Sequence, residues 1–304
     1  MRWFETPNFN FVGSRRIAYI VSGLLIAVSI GAIVTKGLQY GIDFKGGKEF
    51  VLAFQSPVEV EQIRETLTEA FGENPEVKEY GSSSEVLIRT GSELEKPELE
   101  QIINTSMSTL YSGNAYELQK SDAVSARFSE DLKSDAAQAI IYSIAAIFLY
   151  ILLRFRNWTF STGAVAALVH DVTITLGIFT ILSGFVDFNL QLDQAIIAAF
   201  LTIVGYSLND TVVVFDRIRE NSRIHKGIAL PDMINRSLND TLSRTVITSV
   251  TTLFVVVVLF IFGGEVLKGF AFALIIGIIL GTYSSLYVAS ALVVELEGRT
   301  KKSK

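Results

Sequence analysis

Gly205-Tyr206-Ser207-Leu208-Asn209-Asp210-Thr211-Val212-Val213-Val214-Phe215-Asp216-Arg217-Ile218-Arg219 interrupts an apolar run with two adjacent polar residues. Asn209 and Asp210 follow the apolar stretch Ala195 to Val204, and Val212 to Phe215 restore it before the basic pair Arg217 and Arg219 ends it. The run is long enough to lie in a bilayer, so Asp210 is read as a carboxylate held in hydrocarbon. Such a group costs several kcal/mol unless it is paired, hydrated or protonated, and it persists mainly for function.

Working outward, the same kind of run recurs. Half of the 304 residues are apolar. Ile17 to Val34, Ala136 to Leu153, Thr159 to Leu182, Leu192 to Phe215, Thr245 to Phe262 and Leu267 to Val294 each come close to or exceed the ~20 residues that span a bilayer as helix. The runs are continuous and lack period-two alternation, which excludes a membrane β-barrel. The chain then divides into a cytoplasmic segment 1–16, a first span 17–34, an extracytoplasmic region 35–135, five further spans within 136–294 and a basic tail 295–304.

Basic residues set the sidedness. Arg15 and Arg16, Arg154 and Arg156, Arg217 to Lys226 and Arg299 to Lys304 all fall on one side if both termini are cytoplasmic, whereas the loops at Asp187 and Glu265 carry little positive charge. The first span is too long for a signal peptide and no small-x-small site follows it, so it is expected to remain as an anchor. In the aromatic lead, Trp3, Phe4, Phe9 and Phe11 suit a membrane interface.

Cysteine is absent and only His170 and His225 are present, which argues against thiolate catalysis, disulfides and a Cys or His metal site. No nucleotide loop or nucleophile triad is visible, so an enzyme is not expected, nor a cofactor. Between Gly37 and Asp135 nineteen acidic residues face nine basic ones, a net charge of −10 that excludes nucleic acid as a partner. That segment reads β-α-β-β-α-β, the order of a ferredoxin-like α+β sandwich. Its strands are Glu49 to Gln55, Val77 to Tyr80, Glu85 to Thr90 and Ala115 to Leu118, and its helices open at Pro57 and Pro97. An amphipathic stretch, Ser121 to Asp135, is expected to lead into the second span, with Phe128 and Leu132 packing at i,i+4. Ahead of the domain, Gly41-Ile42-Asp43-Phe44-Lys45-Gly46-Gly47 suggests a turn entering a strand. The stretch Arg217 to Lys226 suggests a basic amphipathic helix drawn to anionic membrane lipid.

Two constellations carry candidate chemistry. Asp210 stands seven residues before Arg217, ~10 Å along a helix, and Arg244 enters the same half of the bilayer from the next span. The two can meet, or Asp240 can take Arg244 at i,i+4 and leave Asp210 free. Burial favours the neutral acid and an arginine favours the carboxylate, the competition a proton carrier needs, with Asn209 orienting or hydrating Asp210. His170 and Asp171 form an accessory polar pair in the third span, either a helix tie or a proton-relay element. Thr245, Thr248, Ser249, Thr251 and Thr252 either bond their own backbone or line a hydrated path. Gly277 and Gly281 fit the small-xxx-small rule for close helix packing.

The motifs Tyr40 to Gly47, Val169-His170-Asp171-Val172, Gly205 to Asn221 and Arg244-Thr245-Val246-Ile247-Thr248-Ser249 together resemble the SecF family of the bacterial Sec protein-export machinery, related to the resistance-nodulation-division transporters. Lys45 departs from that pattern, where Thr commonly stands. The resemblance implies a six-helix subunit of the bacterial inner membrane that works with SecD and the SecYEG channel, using the proton gradient to help move preproteins. It also implies that Asp210 and Arg244 serve proton transport and that Gly41, Asp43, Gly46 and Gly47 are the outer domain's signature. The rival readings are a scaffold that moves no protons and half of a proton-driven small-molecule exporter.

Overall fold

In the computed structural model the described residues are 7–186 and 188–302. Trp3, Phe4, Asp187 and Lys304 lie outside them, as do the side chains of Glu265, Arg299, Lys301 and Lys302. The chain forms two compact units, Met1–Leu38 with Gln138–Ile181 and Ala195–Lys304 in one, and Gln39–Ala137 with Leu182–Gln194 in the other.

The first span is helix α1 (Arg15–Lys36), and after it a single turn, α2 (Ile42–Lys45), precedes the sheet. Strand β1 (Gly47–Phe54) is followed by helix α3 (Val60–Phe71), strands β2 (Glu76–Tyr80) and β3 (Ser82–Thr90), helix α4 (Lys96–Leu110) and strand β4 (Tyr116–Val124). The sheet order is β2-β3-β1-β4 with every pairing antiparallel, which is the ferredoxin-like arrangement. Phe50, Leu52 and Ile88 on one sheet face pack against Ile63, Leu67, Leu99, Ile103 and Met107. Local details differ from the expectation. Pro57 lies ahead of α3 and does not open it, Gly81 alone joins β2 to β3, and β4 takes the first residues of the stretch expected to be amphipathic linker, as far as Val124, with α5 forming the rest from Ala126. Phe128 is exposed, and the buried residue there is Ser129, whose hydroxyl donates to Ser125 O at 3.2 Å.

Gly46 and Gly47 have φ of 76° and 119°, values that side chains disfavour. A Cβ on Gly47 would sit 2.8 Å from Thr90 O. These two glycines let the turn enter β1 against β3. Around them, Gly41 N donates to Leu192 O at 2.8 Å and Asp43 Oδ2 accepts from Gln194 N at 3.0 Å, so the signature ties the segment Leu182–Gln194 to the domain.

The outer sheet face carries a charge ladder across all four strands. Buried Glu49 accepts from Arg89 on β3 and from Lys120 Nζ on β4 at 2.8 Å, and Arg89 also approaches Glu76 on β2. Burial acts to raise the Glu76 carboxyl, but Lys78, Arg89 and Lys45 outweigh it and hold it below its ordinary value.

The first unit holds the membrane-spanning parts of the long helices. They are α1, α5 (Ala126–Phe155), α6 (Trp158–Leu182), α7 (Gln194–Ile224) and α8 (Leu230–Phe262). The sixth span runs through α9 (Glu265–Ser284), a π-turn (Ser285–Ala289) and α10 (Ser290–Lys302). Among the described residues six helical segments are long and apolar enough to cross a membrane. Phe254, Val255 and Val258 on α8 and Ile141, Tyr142 and Leu149 on α5 are exposed, as expected of surfaces that face lipid or another subunit. The stretch read as a separate basic helix is the end of α7, with α8 beginning at Leu230. Arg217 there pairs with Asp240 and Glu220, both at 2.9 Å, and Arg219 pairs with Asp216 at 2.8 Å. Phe11 is buried against Tyr287 and is no interfacial anchor.

Removing one partner from the ladder should cost more than removing both. Arg89→Met is expected to destabilise the sheet by about 3 kcal/mol, read as faster amide exchange of β1 and β3 in the full chain, with Glu49→Gln added to it restoring much of the loss. Because Glu76 is held ionised, its contribution is present above the ordinary glutamate value of about 4.3 and is lost as pH falls through the lowered one. Exchange in β2 should therefore rise on acidification below that value, and rise less in Glu76→Gln.

Candidate functional site

Two carboxylates are buried in the helical unit, and their surroundings are opposite in kind. Asp171, on α6 and 0% exposed, is bonded from three directions. His170 Nδ1 lies 2.8 Å from its Oδ1, and Ser207 Oγ on α7 and Ser284 Oγ on α9 each donate to Oδ2 at 2.7 Å. The two serines donate, and with the histidine hydrogen placed on Nδ1 three donors converge on the one carboxylate, an arrangement suited to an anion. His170 extends the network, with Nε2 at 3.1 Å from Ser22 Oγ on α1.

Asp210, on α7 and 4% exposed, has among the described residues one bond, a long 3.4 Å contact from Ser249 Oγ on α8. Ser249 is itself shared, standing 2.6 Å from Thr282 Oγ1 on α9. Arg244 forms no ion pair with Asp210 among the described residues; it is exposed, one and a half turns from Ser249 on α8, and acts on Asp210 only through its field. Among the described residues the alternative pairing of Arg244 with Asp240 does not occur either, and Asp240 binds Arg217 and Asn221. Asn209 is exposed and turned away from Asp210.

The hydroxyls of α8 divide. Thr248, Thr251 and Thr252 bond their own backbone, Ser249 reaches Asp210, and Thr245 Oγ1 is buried without a partner. Close packing brings the network together. A Cβ on Gly277 would lie 2.3 Å from Ile203 Cγ1 and one on Gly281 3.0 Å from Ser207 Cβ, so the small-xxx-small face of α9 is what α7 rests on. Beyond it the π-turn presents Ser285 Oγ to Thr211 Oγ1 at 2.8 Å, while Ser290 Oγ donates to Ser285 O at 2.8 Å.

The residues that sequence reasoning missed are hydroxyls, namely Ser22, Ser207 and the consecutive run Thr282, Tyr283, Ser284 and Ser285. Their signal was hydroxyl groups in otherwise apolar helix, clustered at 282–285 and three residues before Asp210 in the case of Ser207.

Six apolar helices around two buried carboxylates, with a ferredoxin-like domain after the first helix, define a multi-pass membrane protein. The model of the family described as protein export membrane protein SecD/SecF, C-terminal, matches residues 102–299, and the SecD/SecF GG motif matches residues 31–58. The chain is 53% identical to protein translocase subunit SecF of Rhodothermus marinus over 299 residues, covering 98% of this chain and 96% of that one. Against protein translocase subunit SecDF of Thermus thermophilus it is 38% identical. The crystal structure of SecDF from that organism, a translocon-associated membrane protein, superposes with a TM-score of 0.86, covering 98% of this chain and 40% of the longer one. The chain belongs to the SecD/SecF family of protein export membrane proteins, and its role is an auxiliary one in Sec protein export.

The two carboxylates should respond differently to neutralisation. Asp171→Ala leaves three donors without their acceptor and is expected to cost on the order of 3 kcal/mol, seen as a lower melting temperature in detergent. Asp210→Asn gives up one long bond and should change stability by less than about 1 kcal/mol.

Proposed function

We propose that the chain acts with SecD beside the SecYEG channel in the bacterial cytoplasmic membrane, where proton binding at Asp210 helps drive preprotein translocation. The observation that carries this reading is the contrast between the carboxylates. A group locked by three donors has little to gain by changing its proton, whereas one held by a single long bond, with an arginine near and unpaired, has little to lose. Ionised, Asp210 draws on Ser249 and the field of Arg244; protonated, it releases both, and Ser249 turns to Thr282. That exchange alters how α7, α8 and α9 hold one another. Protonation can thus be converted into helix movement without any enzymatic step or cofactor beyond the gradient.

Partnership with SecD is supported by the fused name of the Thermus relative and by the polar strip Thr202, Gly205 and Asn209, exposed on α7. Such a strip is poorly placed against lipid tails and suits another subunit. With the positive flanks inside, both termini are cytoplasmic. Exposed Arg223 and Lys226, with Ile224 and Ile228, are the residues suited to anionic lipid.

In vesicles holding the chain with SecD and SecYEG, an imposed proton gradient should stimulate preprotein transport, and Asp210→Asn should remove that stimulation at unchanged complex yield. Arg244→Met is expected to reduce it at least about tenfold, a loss of about 1.4 kcal/mol in coupling. Stimulation that survives Asp210→Asn would contradict the reading and favour a scaffold that moves no protons.

A further inference from the structure

His170 is 3% exposed, and both of its ring nitrogens have partners. Nδ1 faces Asp171 Oδ1 at 2.8 Å and Nε2 faces Ser22 Oγ at 3.1 Å. The chain continues, since Ser22 Oγ stands 3.1 Å from the Tyr283 hydroxyl, which in turn lies 3.2 Å from Ala18 O. Asp171 Oδ2 accepts from Ser207 and Ser284, and the hydrogen of the His170–Asp171 bond is assigned to Nδ1, with Asp171 as its acceptor.

The remaining hydrogens can be arranged in two ways, of which only the second makes the Tyr283–Ala18 bond. In one, Tyr283 donates to Ser22, Ser22 donates to Nε2, and the imidazole is neutral. In the other, Nε2–H donates to Ser22, Ser22 donates to Tyr283, and Tyr283 donates to the Ala18 carbonyl. The second holds one proton more than the first. It is reached when a proton joins the Tyr283 oxygen, the former Tyr283 proton passes to Ser22, and the former Ser22 proton passes to Nε2. No heavy atom has to move.

The surroundings make the extra charge affordable. An imidazolium against the Asp171 carboxylate is a neutral pair, far less costly in a bilayer than a lone ion. From α9, Tyr283 stacks on the ring at 5.9 Å with Tyr287 behind it at 5.3 Å. Helix α1 contributes Ser22 and the Ala18 carbonyl and carries Tyr19 nearby in sequence, while α7 contributes the Ser207 hydroxyl. No lysine or arginine is paired with either member among the described residues. Asp210 shares none of these bonds.

We propose that His170 is a second proton-binding site in the bundle, loaded through the Tyr283 and Ser22 hydroxyls and neutralised by Asp171. It stands independently of any proton transfer at Asp210. Loading reverses the hydroxyls that join α1 to α9, so occupancy of this site is registered at the α1–α9 contact.

The chain has only one other histidine, His225, outside the network. Full-length His225→Gln protein labelled with nitrogen-15 histidine and placed in bilayers therefore reports His170 alone by solid-state NMR. Between about pH 9 and 5, Nδ1 should stay protonated throughout and Nε2 should gain its proton on acidification. An Nε2 that stays bare across that range, or an Nδ1 that is the bare nitrogen at high pH, overturns the proposal. Ser22→Ala, and separately Tyr283→Phe, which keeps the ring stack, should each lower the proton affinity of Nε2 about tenfold, a shift of about one pH unit. An unchanged midpoint in both variants overturns the hydroxyl chain. The readout is spectroscopic, so its failure is distinct from failure of gradient-driven transport at Asp210.

Discussion

The carboxylate of Asp171 is where three helices are made to agree. Its acceptor lobes take hydrogens from α6, α7 and α9, and through His170 it is linked to α1. Helices in a bilayer gain little from burying apolar surface against one another, because lipid is equally apolar, so register must come from small-residue contacts and directed hydrogen bonds. Asp171 supplies the directed bonds, and Gly277 and Gly281 supply the close approach that lets Ser207 come within reach. The loosely held Asp210 depends on this arrangement. A weakly bonded carboxylate can exist in the bundle only because the neighbouring helices are fixed by something else.

Much of this was legible in the residues. Continuous apolar runs about the length of a bilayer leave little choice of structure, and the six spans follow from that constraint. The order of the outer domain was equally plain, because strands alternating with amphipathic helices have few ways to bury one face. Asp210, His170 and Asp171 were conspicuous since ionisable groups are rare in hydrocarbon.

What was not legible depends on direction in space. Spacing brought Asp210 and Arg244 to the same depth, but whether two side chains on adjacent helices point at each other depends on helix rotation, and here Arg244 turns outward. For the same reason Asn209, next to Asp210 in sequence, lies on another side of the helix. Phe128 and Leu132 formed a plausible packing pair by period, yet the strand before them ran farther than its composition suggested and changed what the helix start could bury. The charge ladder over the sheet was hidden because cross-strand neighbours are distant in sequence, and only the register Glu49 to Arg89 and Glu76 to Arg89 reveals it.

The π-turn at Ser285–Ala289 has a consequence for how the sixth span tolerates change. One extra residue in a regular helix offsets the faces before and after it by about 100°. Upstream, Ser284 faces Asp171; downstream, Val293 and Val294 join the apolar core and Glu295 meets Arg15 at 3.0 Å. A one-residue deletion there would leave a perfectly good α-helix, uniformly apolar and still long enough to span. Because the wide turn absorbs its extra residue, Val293, Val294 and Glu295 would keep their directions relative to Ser284, whereas a deletion in the regular helix on either side would rotate them by about 100°. In this segment length is forgiving, and angular phase is the quantity under constraint.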